Sequence, residues 1–223
     1  MMTDTDEVNG RLPTPSKGER IFMSLREQIL QATATLIREQ GIAAVRTKRI
    51  AEVAGCAEGT IFNYFGNKGG LLAAVLSVGL PEVQALYEAV RQARGADLRA
   101  GLVGVVDATH VYYRASTPIV HSALADHSLF ERYSAAHRAA GTGPQQVWQL
   151  LASYLTDQRE RGAIVEGPDL ELEAVTLAGA CQHAVWVEIV SGAEALPHGG
   201  ERFVEQLVDA RLPALTGAVS ARP

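Results

Sequence analysis

Cysteine is nearly absent: Cys56 and Cys181 are the only two in 223 residues, and they stand far apart. This excludes a disulfide framework and a metal knuckle, and it suits a reduced compartment. The N-terminus lacks the basic-then-apolar order of a secretory signal, so a cytoplasmic location is expected. No uncharged apolar run approaches the ~18 residues of a membrane span, and no membrane partner is expected. The apolar stretch over residues 174–187 is shorter and contains His183. There is no His-x-x-x-His pair, glycine-rich phosphate loop, nucleophile elbow or paired-carboxylate motif. Nothing therefore calls for a metal, a cofactor or catalysis. Strand alternation, internal repeats and low-complexity tracts are missing as well.

What is present is the composition of a globular chain, 47% hydrophobic and 20% charged, with a net charge of −5. That sign is unusual for a nucleic-acid protein, but the charge is unevenly spread. Residues 20–68 hold seven Lys/Arg against four acids, a net +3, whereas residues 69–223 are net −6. A basic excess in one short segment is the footprint of a small DNA-reading module, although a solvated face can carry the same charge.

Residues 1–19 are polar and contain two prolines, which reads as a disordered tail. From there the pattern is helix after helix, so the fold class is all-α with about nine helices. Leu25, Ile29, Leu36 and Ile37 give the first a helical stripe, with Ser24 as N-cap and Gly41 as its stop. A second helix is expected from Thr47 to Gly55 and a short third from Ala57 to Phe65. Asn67 then caps a longer one starting at Lys68. Later breaks are expected at Gly79-Leu80-Pro81 (or only a kink there), Arg94-Gly95, Thr117-Pro118, residues 141–144, Gly162, Gly167-Pro168 and residues 197–200.

The segment TKRIAEVAGCAEGTIFNYFGNKGGLL, residues 47–72, is the most informative. Ile50, Val53, Ala54, Ile61 and Phe65 can bury one side of two short helices. Ala51 is small where helices cross, and Gly55 ends the first helix with a positive φ. A helix, a glycine turn and a short second helix form the unit whose recognition helix enters the major groove. Ile50-Ala51, Ala54-Gly55, Gly59-Thr60, Phe62, Phe65, Lys68 and Leu71-Leu72 resemble the TetR family. That resemblance covers residues 24–72 by motif and the remainder by architecture alone. It implies a three-helix DNA-binding domain over residues 20–68 and a ligand-binding and dimerisation domain over residues 69–217.

Resemblance and chemistry together assign the DNA-facing roles. Thr47, at a helix start, can offer its hydroxyl and N–H to a phosphate, with Lys48 neutralising charge nearby. Gly59 allows close approach of the duplex, and Thr60 offers a methyl or a hydroxyl. Asn63 is the favoured reader of an adenine edge, Tyr64 stands at the family's phosphate-touching position, and Lys68 is expected to clamp a phosphate. Phe62 is read mainly as a packing residue. The sequence departs from the family in three places. Phe62 replaces a usual tyrosine, Ala57 replaces a capping serine, and Gly69-Gly70 replaces an acidic residue and a helix former. The glycine pair is expected to loosen its helix by up to ~2 kcal/mol.

The helix near residues 170–190 carries no charge between Glu173 and Glu188 and is apolar all round. One side is expected in the core and the other against a second copy, with Ala180 and Ala184 allowing close approach. The final helix, with Phe203, Val204, Leu207, Val208 and Leu212, would complete a four-helix interface. Polar-tipped aromatics and histidines supply the pocket candidates. Tyr113, Trp148 and Trp186 are favoured as a group over His110, His121, Tyr133, Tyr154 and His183. The expected function is a ligand-responsive regulator, a repressor rather than an enzyme, binding palindromic double-stranded DNA as a homodimer and released by a small-molecule effector. A helical ligand-binding protein with weak or lost DNA binding, or a small all-α enzyme, would share much of this pattern.

Overall fold

A computed structural model of the chain describes residues 23–41, 45–200 and 202–218. The expected disordered tail, residues 1–19, lies outside them. Ten α-helices and no strand are present among the described residues. They are α1 (Leu25–Gln40), α2 (Thr47–Ala54), α3 (Glu58–Phe65), α4 (Lys68–Ala74), α5 (Pro81–Ala93), α6 (Leu98–Leu124), α7 (His127–Ala140), α8 (Gln145–Glu160), α9 (Leu170–Ser191) and α10 (Phe203–Thr216). Two of the expected breaks contrast: one is present and the other is not. Gly79-Leu80-Pro81 is a true break, because α4 runs into a π-helical turn, Val75–Gly79, and Leu80 is extended at φ −81°, ψ 134°. Thr117-Pro118, in contrast, breaks nothing: α6 continues through Pro118 to Leu124. Its true stop is Asp126, whose carboxylate accepts the Leu129 N–H and so starts α7.

Local signals explain the first elements. Ser24 and Glu27 form a reciprocal capping box at the start of α1. The apolar side of α1 buries Ile29, Leu30, Leu36 and Ile37 against Ile50, Ala51 and Ile61 of the next two helices. This apolar cluster does not end with α3. It continues through Leu71, Leu72, Val75 and Leu76 and takes in Ile119 and Ala123 of α6 with Leu129 and Tyr133 of α7. A second cluster joins α5, α6, α8, α9 and α10 around Leu102, Leu151, Leu155, Leu177 and Leu215. Ion pairs stitch its rim: Arg99 of α6 to Asp209 of α10 at 2.6 Å, and Arg211 of α10 to Glu173 of α9.

The helices α4 and α7 meet where the sequence suggested weakness. A Cβ on Gly69 would lie 2.6 Å from both Cβ of Arg132 and N of Tyr133. A Cβ on Gly70 would lie 2.1 Å from the carbonyl oxygen of Phe65. The two glycines are required by packing: α7 lies directly on α4, and α4 turns tightly off α3. Their low helix propensity is offset by that contact rather than expressed as looseness.

Two helical stretches, Lys68–Ala93 and Leu170–Ser191, match a membrane span in length and apolarity. This exceeds the sequence expectation, because their few acids, such as Glu82 and Glu173, do not offset the surrounding aliphatic residues. Each packs one side into the clusters above, as a core helix does.

Gly69→Ala should destabilise the chain by about 1–3 kcal/mol through overpacking. Gly104→Ala, on an exposed part of α6 with open space around its Cβ, should instead stabilise by about 0.5–1 kcal/mol. Urea unfolding of both variants checks the contrast.

Candidate DNA-reading face and ligand cavity

The turn between α2 and α3 is set by Gly55 in the left-handed region, φ 73° and ψ 34°. Its N–H and that of Cys56 return to the carbonyls of Glu52 and Ala51, at 3.4 and 3.0 Å. This closes α2 and redirects the chain so that Ile61 of α3 is fully buried. The opposite side of α3 then presents Gly59, Phe62, Asn63 and Tyr64 outward, with Thr60 partly covered beside them. Phe62 is 42% exposed, so the sequence reading of it as a packing residue is corrected. It is Phe65 that packs, beneath the Arg26 guanidinium at 5.4 Å from its ring centroid.

Around this face, Lys48 is exposed, and Thr47 is half-buried with its hydroxyl donating to the Glu58 carboxylate. Thr47 is the first residue of α2 rather than its cap. That position belongs to Arg46, and neither Arg46 nor Ala57 makes a side-chain capping bond. Lys68 is part-buried: its ammonium donates to the Val45 carbonyl at 2.8 Å, tying the start of α4 to the segment before α2. Burial lowers its pKa, with Asp126 at the head of α7 acting in the opposite direction.

Farther along, α6 and α7 line a cavity with contributions from α5, α8 and α9. Its volume is about 100 Å³, and it is partly open to solvent. Tyr87, Tyr112, Tyr113 and Tyr133 supply phenols. The Tyr112 and Tyr113 rings lie 5.5 Å apart. Burial raises the pKa of Tyr113 strongly and that of Tyr133 to about 12, so both hydroxyls stay protonated. His137 sits edge-on to Tyr133, with ring centroids 4.5 Å apart. Its Nδ1 is 2.8 Å from the Thr142 hydroxyl, while its Nε2 is buried and has no hydrogen-bond partner. Desolvation lowers its pKa, so the ring is neutral at pH 7.

Of the three residues favoured for the pocket, the structure places Tyr113 on the wall, with Trp148 and Trp186 outside the lining. Trp148 is half-buried against the second cluster. Trp186 is 47% exposed on α9 and reaches the cavity only indirectly, through an edge contact at 4.9 Å with His121. Tyr154 is a fully buried core residue, and His110 bonds Glu188 at 3.0 Å. His121 and Tyr133, also considered, do line the cavity; Tyr87, Tyr112 and His137 were missed. The last had a legible signal, since it follows Tyr133 by four residues and so shares its helix face.

The profile described as "Bacterial regulatory proteins, tetR family" matches residues 29–75, which span α1 to α4. An HTH-type transcriptional regulator of Bacillus subtilis, YvkB, is 30% identical over 145 residues, covering 65% of this chain and 73% of that protein. The chain belongs to the TetR family of transcriptional regulators. Some other related regulators are matched over only 39% to 53% of their own length. A TetR-family regulator of Mesorhizobium loti superposes with a TM-score of 0.64 at 17% identity, covering 90% of this chain and 98% of that one. Thermus thermophilus FadR, a TetR-family repressor crystallised with lauroyl-CoA, gives 0.55 at 24% identity, covering 89% and 96%. These neighbours share the fold. As a TetR-family protein the chain is a DNA-binding regulator and not an enzyme.

Folded His137 holds fewer protons than unfolded His137 between its lowered pKa and the ordinary 6.5. Its contribution to stability is therefore complete above pH 6.5 and is lost as pH falls towards the lowered value. His137→Phe should show a flatter dependence of unfolding free energy on pH just below 6.5 than the parent chain. Chemical denaturation at several pH values measures that difference.

Proposed function

We propose that the chain is a ligand-responsive repressor, binding a palindromic operator as a homodimer and released when a small molecule occupies the cavity beside α7. Residues 20–68 form the DNA-reading unit in this reading, and residues 69–217 hold the ligand and the partner subunit in a cytoplasmic protein. The observation that carries it is the outward face of α3. Gly59, Asn63 and Tyr64 stand together in solvent on a helix whose other side is fixed by Ile61. Gly59 has open space around it, which lets a duplex come close to the backbone. Asn63 pairs with an adenine edge, Thr60 and Phe62 offer apolar contact to a thymine methyl, and Tyr64, Lys48 and the start of α2 at Thr47 meet phosphates. Lys68 acts at the edge of this face while holding Val45.

The dimer is supported by α9. One of its sides is buried through Leu177, Ala178, Cys181, Ala184 and Val185. The other exposes Leu172, Val175, Trp186, Ile189 and Val190, with Gly179 between them and nothing near its Cβ position. This is an apolar stripe at helical spacing, of the kind that packs against a copy of itself. The small residue in it is Gly179, whereas Ala184 faces the core. Val208 and Leu215 of α10 are wholly buried in the chain's own second cluster, and Val204, Leu207 and Leu212 pack against it.

Selection from a random duplex library should enrich a palindrome, with affinity falling steeply as salt rises. Asn63→Ala should cost about 1–3 kcal/mol and relax specificity at one position, while Lys48→Ala reduces the salt slope by about 1. Enrichment of no sequence would leave a ligand-binding protein of the same fold. Val175→Glu should convert the dimer to monomer in sedimentation and weaken operator binding by about 10²-fold or more, because the half-sites no longer act together.

A further inference from the structure

We propose that the cavity takes an uncharged, hydroxyl-bearing ring compound whose hydroxyl pairs with Nε2 of His137, in preference to an organic anion or cation. This rests on reading the cavity as the effector site. Its wall contains no Asp, Glu, Lys or Arg. An ion drawn into it would leave water without meeting a counter-charge, which opposes entry of either sign. Beyond the imidazoles of His121 and His137, the polar groups lining the space are uncharged: phenols, serine and threonine hydroxyls, and the carboxamides of Gln146 and Gln182.

Among all of these, His137 is distinguished by an uncommitted atom, Nε2, which the cavity wall covers, so a ligand reaches it as the ring turns or its neighbours shift. The residue is 7% exposed, and Thr142 from the α7–α8 loop holds Nδ1 at 2.8 Å. The Thr142 hydroxyl can donate to that nitrogen or accept from it, so Nε2 is a donor in one tautomer and an acceptor in the other. A ligand hydroxyl satisfies both, since it donates and accepts. A hydroxyl delivered to that nitrogen supplies the partner that the protein's own groups do not. The surroundings specify the rest of the molecule. Tyr133 stands edge-on to His137, Tyr112 and Tyr113 flank the same space, and Leu76, Val83 and Val147 close it with apolar surface. A cavity volume of about 100 Å³ suits a small compound of about one ring.

The test uses three one-ring probes of similar size and different charge: p-cresol, p-toluate and phenyltrimethylammonium. Each is titrated calorimetrically into the full-length chain and into His137→Phe and Thr142→Val, with folding of both variants checked by circular dichroism. p-Cresol should bind at least about tenfold more tightly than either ion and lose about tenfold in His137→Phe. Thr142→Val, which leaves His137 in place but frees its ring, should lose several-fold. Tighter binding of either ion overturns the assignment of charge. Unchanged p-cresol affinity in both variants overturns the role of His137. No binding of any probe at about 1 mM overturns the proposal as a whole. Selection of an operator by the same chains reports on the regulator reading separately. A chain that selects an operator but binds no probe loses only this inference. One that selects none still has its cavity chemistry decided by the titrations.

Discussion

The close approach of α4 to α7 at Gly69 is the constraint on which the rest of the structure depends. Hydrogen at that position allows the backbone of Arg132 and Tyr133 to rest on the first turn of α4. Lys68, one residue earlier, reaches back to Val45, and Gly70, one residue later, sits over the end of α3. Three consecutive residues thereby join the recognition helix, the start of α2 and the body of the protein. A single methyl there would meet main-chain atoms, which cannot move aside as the tip of a flexible side chain would.

Because α7 is that partner, the cavity and the DNA-reading unit share a structural element. Tyr133 contributes its amide to the α4 contact, its side chain to the first apolar cluster and its ring to the cavity wall. His137 lies one turn farther along the same helix. In the proposed reading, a ligand held against these rings presses on the helix that fixes α4, and through α4 on α3. At the other end of the cavity, His121 touches Trp186 on the exposed stripe of α9. In the proposed reading, the ligand space therefore lies between the joint that orients the reading head and the surface suited to a second copy.

Much of this was legible in the sequence, for identifiable reasons. The helix-turn-helix follows from short-range chemistry: a capping box at Ser24, a left-handed glycine at Gly55 and apolar spacing that buries Ile50 and Ile61. The two-sided apolarity of α9 also reads directly, since no charge interrupts it between Glu173 and Glu188. What local pattern could not convey is which residues meet across the fold. Gly69-Gly70 looked like a weak helix start because propensity counts neighbours along the chain, and the decisive neighbour is Arg132, more than sixty residues away. Phe62 looked like core by residue type, yet its place on α3 faces outward. Trp148 and Trp186 looked like pocket residues as polar-tipped aromatics, while the cavity is lined by tyrosines and two histidines gathered by α5, α6 and α7. Pro118 looked like a break, but α6 carries straight through it.

The most direct test of a dimer with rigidly attached reading heads uses the native thiols. Cys56 lies part-exposed in the turn between α2 and α3, and Cys181 is wholly buried. A nitroxide attached to Cys56 in the folded chain reports the separation of the two turns by pulsed dipolar spectroscopy. The account predicts one narrow distance distribution of a few tens of Å, compatible with recognition helices ~34–36 Å apart. A broad spread of distances, or no dipolar coupling at all, would contradict it.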